Sequence, residues 1–308
     1  MKELKAFVRA VVDGNMVDAK RFLDAGADVN ARGTKGFAPL HWACHQGHVD
    51  IARLLLDRGA GVNTCNEAGY IPLHYACSRG HADIVKLLLK TGSNVNARNC
   101  VKDTPVYKAS RHGHADITGL LLEAGAEVNV QEMMGRTPLH AACTGGHQGT
   151  VRLLLDHGAK VNVKDYDGAT PLYRACLFKH AEIVRLLLDH GADVNVKNRQ
   201  DSTPLHTACK TPGSVDVVRL LLEHGADINA KNKFGNTALH FACGDGNTAV
   251  IRALIEYGID PGVTNDKGTS AFALVFQHKD RQDLIDLFYQ YAPPELVMEA
   301  FCTRGPQL

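Results

Sequence analysis

One stretch of the chain decides its fold: residues 137–168 read "TPLHAACTGGHQGTVRLLLDHGAKVNVKDYDG". The same pattern returns in register along the chain, most visibly at its second position, which is proline. That proline recurs every 33 residues, and Ala238 takes the next place after a step of 34. The prolines are Pro39, Pro72, Pro105, Pro138, Pro171 and Pro204. A fixed period of this length indicates an array of repeated structural units.

Each unit of the pattern predicts two helices. Pro138 fits the first turn of a helix, where its missing N–H costs no hydrogen bond, and Thr137 can cap that turn. In the second helix Val151, Leu154 and Leu155 form an apolar stripe at spacings of three and four. Because neither helix can bury its apolar side alone, the units must stack on one another.

Three recurring phrases carry a family resemblance. "TPLH" at 137–140, "PLHYACSRGHADIVKLLL" at 72–89 and "GADVN" at 191–195 are similar to the ankyrin repeat. The resemblance covers about residues 1–292. It implies an all-α fold, an α-solenoid of stacked helix–turn–helix repeats joined by β-turn loops.

The period also predicts how the solenoid is divided. We expect an N-terminal cap, seven full repeats, a C-terminal cap and a tail. Their bounds are 1–36 for the first cap, 37–69, 70–102, 103–135, 136–168, 169–201, 202–235 and 236–268 for the repeats, 269–292 for the second cap and 293–308 for the tail.

Composition excludes several kinds of partner. The 308 residues carry a net charge of +1 with no dominant basic run, which argues against nucleic acid. No stretch approaches the roughly 18 apolar residues that span a bilayer, so we expect no membrane insertion. The opening "MKELKAFVRAVVDGN" does not resemble a secretory signal. We expect a soluble monomer.

The nine cysteines follow the period rather than a disulfide pattern. Six of them follow an alanine in the same local phrase: Cys44, Cys77, Cys143, Cys176, Cys209 and Cys243. Adjacent helices lie about 8–10 Å apart, which is too far for a disulfide between neighbouring repeats. Reduced thiols favour the cytoplasm, with the nucleus as an alternative.

The same phrase resembles a metal site, with His140, Cys143 and His147 at spacings of three and four. The set is complete in three repeats but is broken elsewhere, for example by Tyr107 and Ser110. A ligand set does not tolerate such replacements, and no known catalytic motif is present. We expect no metal, no cofactor and no enzymatic activity.

The resemblance gives the repeated polar residues structural roles. It implies that the histidine of "PLH" bonds backbone groups and ties neighbouring turns together. The second histidine of each unit is expected to bond near the start of the second helix. The asparagine that closes each unit is expected to bond its local turn.

Positions that vary between repeats are the candidate binding residues, because the framework positions are shared. They comprise the residue after the "PLH" histidine, the pair before the glycine turn, and the turn tips, a set that also contains Phe37 and His45. Aromatic residues, Met and Arg are enriched at interfaces. We select Trp42, Tyr70, Tyr75, Arg79, Lys108, Arg111, Met133, Met134, Tyr166, Arg174, Leu177, Phe178, Phe234 and Phe241.

Two questions stay open for these residues. Trp42 and Phe241 can serve either an interface or the core. The basic residues at variable positions, with few acids among them, either attract an acidic or phosphorylated segment or only keep the surface soluble. They are Arg79, Lys108, Arg111, Arg136, Arg174 and Lys210.

The function that the resemblance implies is a non-catalytic scaffold or adaptor that binds partner proteins through a concave face and the turn tips. Three alternatives remain: the substrate-receptor subunit of a ubiquitin ligase, the regulatory region of a larger protein, and a secreted microbial effector.

Overall fold

The computed structural model describes residues 2–275, together with Asp286 and Gln290. Within these residues the regular elements are seventeen α-helices and one 3₁₀ helix, beside an isolated bridge between Thr264 and Ser270. The predicted all-α class is therefore confirmed. In the same part of the chain, no helix combines the length and apolar character that crossing a bilayer requires.

The chain divides after Lys160 into two compact units. The first unit contains ten α-helices and the 3₁₀ helix Thr34–Gly36. The α-helices are α1 (Lys2–Val12), α2 (Met16–Asp24), α3 (Pro39–Gln46), α4 (Val49–Asp57), α5 (Pro72–Arg79), α6 (Ala82–Lys90), α7 (Pro105–His112), α8 (Ala115–Glu123), α9 (Pro138–Gly145) and α10 (Gln148–Asp156).

The second unit begins at Val161 and contains seven described helices. They are α11 (Pro171–Leu177), α12 (Ala181–Asp189), α13 (Pro204–Cys209), α14 (Val215–Glu223), α15 (Ala238–Asp245), α16 (Thr248–Glu256) and α17 (Ala271–Val275). Most of the expected cap 269–292 and the whole tail 293–308 lie outside the described residues. The repeat bounds and one solenoid over 1–292 stay predictions.

Each helix pair starts and turns as its local sequence dictates. In α9, Thr137 Oγ1 accepts the N–H of His140, and the imidazole Nδ1 accepts the N–H of Thr137 at 3.1 Å. Two of the unpaired N–H groups at the helix start are thereby satisfied. Gly146 ends the helix with a φ of 75°, a left-handed conformation that glycine adopts without strain.

The core of each unit lies between the two layers of helices. In the first unit Leu55, Leu88 and Leu121 of the second helices are fully buried. The small residues Cys44 and Cys77 of the first helices are fully buried as well and let neighbouring helices approach closely. Burying one leucine contributes about 1.5–3 kcal/mol, so stacking provides the stability that a single repeat lacks.

The turn tips of successive repeats are joined by main-chain hydrogen bonds. In the first unit the N–H of Cys100 donates to the carbonyl oxygen of Ala68 at 3.0 Å. A Cβ added to Gly69 would lie 3.0 Å from the Cα of Asn99 and the nitrogen of Cys100. This close approach, together with a φ of 76°, makes glycine the least strained residue at that turn.

Three non-glycine residues take the place of such a glycine. Lys102, which lies 33 residues after Gly69 and so holds the equivalent turn position, has a φ of 62°. Asp201 holds the matching turn in the second unit at 55°, and Lys179 ends α11 at 62°. A side chain in this region costs about 1–2 kcal/mol, so these turns are locally strained.

Candidate interaction surface

The "PLH" histidines are buried links between consecutive turns, as the sequence resemblance implied. In α3 the Nδ1 of His41 accepts the N–H of Ala38 at 3.1 Å, and its Nε2 donates to the carbonyl oxygen of Tyr70 at 2.9 Å. In the second unit His206 reaches the carbonyl oxygen of Asn236 at 3.0 Å in the same way. With both nitrogens committed to backbone groups, these imidazoles cannot ligate a metal.

The second histidine of each unit does not cap its own helix, which corrects the sequence expectation. His48 precedes α4, but its side chain makes no capping bond there. Its Nε2 lies 3.0 Å from the carbonyl oxygen of Val12 in the preceding repeat, and the Nε2 of His147 lies 3.1 Å from that of Arg111. The ring is long enough to reach back to the neighbouring repeat.

The asparagines that close the repeats also reach across, not to their local turn as expected. The Nδ2 of Asn30 donates to the carbonyl oxygen of Gly59 at 3.1 Å, and its Oδ1 accepts the N–H of Gly61 at 2.8 Å. The same pair of bonds is made by Asn63, Asn96, Asn129, Asn162 and Asn195. This side chain is therefore a link between repeats.

The core cysteines are not poised for chemistry. Burial raises the pKa of the Cys44 and Cys209 thiols, because a thiolate is poorly solvated in the core. Cys65 and Cys100 are exposed. Across the described residues, no three His, Cys, Asp or Glu side chains come together as a metal-binding group.

Four aromatic side chains meet on the surface of the first unit. Trp42 stacks on Phe37, with ring centroids 4.8 Å apart and planes inclined by 28°. Phe37 contacts Tyr75 at 5.4 Å, and Tyr75 contacts Tyr70 at 5.4 Å. All four are partly exposed. We call these four residues the aromatic strip.

The strip forms because the period places its members side by side. Trp42 and Tyr75 are 33 residues apart, at the same position of α3 and α5, and Phe37 and Tyr70 occupy the same position of consecutive turns. Trp42 and Tyr75 also pack against the core. Trp42 therefore contributes to the core while part of its ring stays exposed, and an interface at the exposed part stays a prediction.

A histidine and an arginine lie beside the strip. The ring of His45 lies 6.2 Å from that of Trp42 and 5.8 Å from that of Tyr75. Its Nε2 accepts from the Nη2 and Nε of Arg79, at 2.7 and 3.2 Å. Arginine has only donors, so the His45 Nε2 is the acceptor of this contact, and its Nδ1 lies 3.1 Å from Gln46 Oε1. The guanidinium is thereby oriented by a side chain that is not a carboxylate.

Two of the selected cations are ion-paired within the chain, which the sequence pattern did not reveal. The Nζ of Lys108 lies 2.6 Å from the Oδ2 of Asp103 and 5.2 Å from the centre of the Tyr70 ring. In the second unit Arg174 pairs with the buried Asp165. Both cationic side chains are mostly buried, so their charge is largely neutralised before any partner arrives.

After α1, which carries Glu3, the first helices of the first unit present no acid. The segments α3, α5, α7 and α9 contain no Asp or Glu, whereas they contribute Arg79, Lys108 and Arg111. Arg111 is exposed, and neither it nor Arg79 forms an ion pair with any described residue. We call the exposed side of these four helices the first-helix face. It combines the aromatic strip with two unneutralised positive charges.

The turn tips of the first unit add an apolar patch. Met133 and Met134 are 48% and 46% exposed, and Val101 is 41% exposed. The N–H of Met133 donates to the carbonyl oxygen of Val101 at 3.0 Å, so these tips are neighbours. Val101 was not selected from the sequence, because its contribution to an apolar patch depends on its contact with the turn of Met133 in the next repeat.

In the second unit the selected residues are more scattered. Tyr166 and Phe234 are 53% and 59% exposed at turn tips. Phe178 is 44% exposed at the end of α11, where its ring stacks on that of His180 at 6.3 Å. Leu177 beside it is only partly exposed.

Phe241 is partly buried in the second unit. Its ring meets that of His206 edge-on at 5.8 Å. It lines a cavity of about 330 Å³ together with Asn236, Lys267 and Thr269. No aromatic strip like that of the first unit is seen among the described residues of the second.

Comparison with known families agrees with this architecture. The family profile "Ankyrin repeats (3 copies)" matches residues 7–99, 94–165 and 164–232, and "Ankyrin repeats (many copies)" matches 221–275. The chain is an ankyrin-repeat protein. Ankyrin repeats are generally protein-interaction modules, and they are typically non-catalytic.

Solved and curated relatives of this ankyrin-repeat protein agree with the assignment. The crystal structure of the human ASB11 ankyrin repeat domain is similar, with a TM-score of 0.66 and 31% identity over 71% of this chain and 97% of that one. "Protein phosphatase 1 regulatory subunit 27" from Homo sapiens and from Mus musculus is 43% identical over 49 residues. That match spans 16% of this chain and about a third, 32%, of those relatives.

Proposed function

We propose that this chain is a non-catalytic scaffold or adaptor whose first-helix face binds an acidic or phosphorylated segment of a partner protein. The main observation behind the proposal is that the aromatic strip lies on helices that contain no Asp or Glu, α3 and α5, and on the turns before them, beside the equally acid-free α7 and α9. Rings supply apolar contact area, and Arg79 and Arg111 supply charge-assisted hydrogen bonds to carboxylate or phosphate oxygens.

Arg79 is the central cation of the proposal. Its guanidinium is already held by His45, so little side-chain entropy is lost when a ligand binds. The His45 ring accepts hydrogen bonds without cancelling the positive charge. Lys108, paired with Asp103, contributes less, since an acidic ligand must compete with a buried carboxylate.

A charge-reversal pair with a matched control tests the proposal. Arg79→Glu/Arg111→Glu reverses two charges on the first-helix face, while Arg53→Glu/Arg152→Glu makes the same change at exposed sites on α4 and α10. Partners captured by the wild-type chain are identified by mass spectrometry, and each is then titrated as a purified protein against all three forms. We expect the first pair to weaken binding at least tenfold and the second to leave it unchanged.

Equal binding by both charge-reversed forms would place the partner elsewhere on the chain and end the proposal. Phosphatase treatment of a captured partner separates the two sources of negative charge. Loss of binding after treatment identifies phosphate, and unchanged binding identifies Asp or Glu side chains.

The remaining parts of the proposal concern context. We place the protein in the cytoplasm as a monomer, which imaging of the tagged chain and light scattering can test. A ubiquitin-ligase receptor remains the second candidate, and co-capture of a cullin complex would favour it. The match to a phosphatase regulatory subunit covers only 49 residues, 16% of this chain, so we propose no phosphatase role from it.

A further inference from the structure

The aromatic strip carries hydrogen-bond donors that nothing in the described chain uses. The indole N–H of Trp42 and the hydroxyl of Tyr70 make no hydrogen bond with any described residue, and neither atom is buried. The hydroxyl of Tyr75 accepts from the Nδ2 of Asn66 at 2.9 Å, which leaves its own hydrogen free to donate. Along one row of rings, three donors are therefore without an acceptor among the described residues.

These donors restrict what can cover the strip. A ligand that buries them without supplying acceptors leaves each donor unsatisfied, at about 1–3 kcal/mol per group. An α-helix offers few acceptors, since its carbonyl groups are bonded internally. A polyproline II segment has no internal hydrogen bonds, so its carbonyl oxygens are all available, and its proline rings pack against aromatic faces.

The charges around the strip restrict the ligand further. Lys108 already lies over the Tyr70 ring, and Arg79 lies beside His45. A cationic ligand, such as a methylated lysine, would be repelled by Arg79, and Lys108 already occupies a face of the Tyr70 ring that such a ligand would need. A carboxylate next to the proline contacts would be attracted by Arg79.

We propose that the aromatic strip binds a proline-containing segment in the polyproline II conformation, with Trp42, Tyr70 and Tyr75 donating to its carbonyl oxygens and Arg79 binding an adjacent carboxylate. This inference rests on the proposed function and names the conformation and composition of the segment. It predicts that the partner docks through prolines and not through an amphipathic helix.

Selection from a random peptide library tests the inference while the partner is still unidentified. A phage-displayed library of 12-residue peptides is selected on the full-length chain, and binders that also bind Arg79→Glu are removed. We expect the remaining peptides to contain proline next to Asp or Glu. Synthetic copies should show the circular dichroism of polyproline II.

Conservative variants separate the donors from the rings. Trp42→Phe, Tyr70→Phe and Tyr75→Phe each keep an aromatic ring and remove one donor. Each should weaken a selected peptide about three- to tenfold, the loss of one hydrogen bond. Tyr257→Phe, at a tyrosine that is 44% exposed in the second unit, is the matched control and should have no effect.

The outcomes distinguish the inference from the proposed function. Selected peptides that are acidic, depend on Arg79 and lack proline would overturn the inference and support the broader proposal. Proline peptides that are indifferent to all three donor-removing variants would also overturn it. If no peptide depends on Arg79 or on the strip, both fail.

Discussion

The Nε2 of His74 donates a hydrogen bond of 3.1 Å to the carbonyl oxygen of Asp103, 29 residues later in the sequence. The Nδ1 of the same ring accepts the N–H of Ile71 at 3.2 Å. The imidazole is fully buried and must be neutral to make both bonds. Burial lowers its pKa from 6.5 to about 4.

This buried histidine predicts that the protein loses stability in mild acid. Between pH 6.5 and about pH 4, His74 is protonated in the unfolded state but stays neutral in the folded state. The free energy of unfolding should fall across that interval, by about 3 kcal/mol at most for this one group. Burial shifts the pKa of His41, His206 and His240 in the same direction.

Urea unfolding at several pH values measures the effect. His74→Gln should lower stability at pH 7 but flatten the decline between pH 6.5 and 4. His157→Gln, an exposed control, should leave the decline as it is. An unchanged decline in His74→Gln would contradict the assignment.

Because Asp165 and Arg174 form a buried ion pair, replacing the Asp165 carboxylate by an amide should strongly reduce the stability of the protein. Asp165→Asn preserves the Oδ1 that accepts the N–H groups of Asp167 and Ala169, and asparagine fills this turn position in other repeats. Only the charge is removed, which leaves the mostly buried Arg174 with the exposed and more distant Asp167 as its remaining carboxylate. We expect a loss of about 3 kcal/mol in thermal or urea unfolding.

Asp167 provides the matched control for that experiment. Its carboxylate is 67% exposed and lies 3.8 Å from Arg174. Asp167→Asn should cost less than about 1 kcal/mol, since exposed pairs are weak. If both variants lost the same free energy of unfolding, the buried pair would contribute no more to stability than the exposed one.

The close contact between successive turn tips predicts that two glycine-to-alanine substitutions lower the free energy of unfolding by different amounts. Gly26 and Gly69 both have positive φ angles, 85° and 76°. A Cβ at Gly26 meets no atom within 4 Å, so Gly26→Ala should cost about 1–2 kcal/mol from backbone strain alone. Gly69→Ala adds a steric clash with the next turn and should cost about 3–5 kcal/mol. Thermal unfolding that ranks them equally would refute the close approach.

Lys102 predicts a stabilising substitution. Because its φ of 62° is unfavourable for a side chain, Lys102→Gly should raise the free energy of unfolding by up to about 1 kcal/mol. Lys86→Gly, in the middle of the exposed side of α6, should instead lower it by about 1 kcal/mol. Calorimetry of both variants checks the opposite signs.

The thiols should divide into two reactivity classes. Cys65 and Cys100 are exposed and should react with a maleimide in the native protein, whereas the buried cysteines should react only after unfolding. Cys302 lies outside the described residues and is replaced by serine in the test. Rapid native labelling of more than two sites, counted by mass spectrometry, would disagree with the core packing.

The helix pairs could be predicted from the sequence because their signals are local. A proline at the first turn, a glycine after the helix and leucines at spacings of three and four act within a few residues of each other. Such signals do not depend on the neighbouring repeat.

The contacts between repeats were harder to predict. The roles of Asn30 and His48 were assigned within their own turns, yet their partners are 29 and 36 residues away. The pairing of Lys108 with Asp103 depends on how a turn folds over a helix. Periodicity identifies equivalent positions, but it does not reveal how far a side chain reaches along the stack.

The stacked rings of Trp42 and Phe37 also supply an optical probe. Trp42 is the sole tryptophan of the sequence, so fluorescence excited at a wavelength that spares tyrosine originates from the strip alone. Any molecule that binds to these rings changes the polarity around the indole, and this change shifts the wavelength of maximum emission. The native chain can thus report occupancy of its own surface with no attached dye.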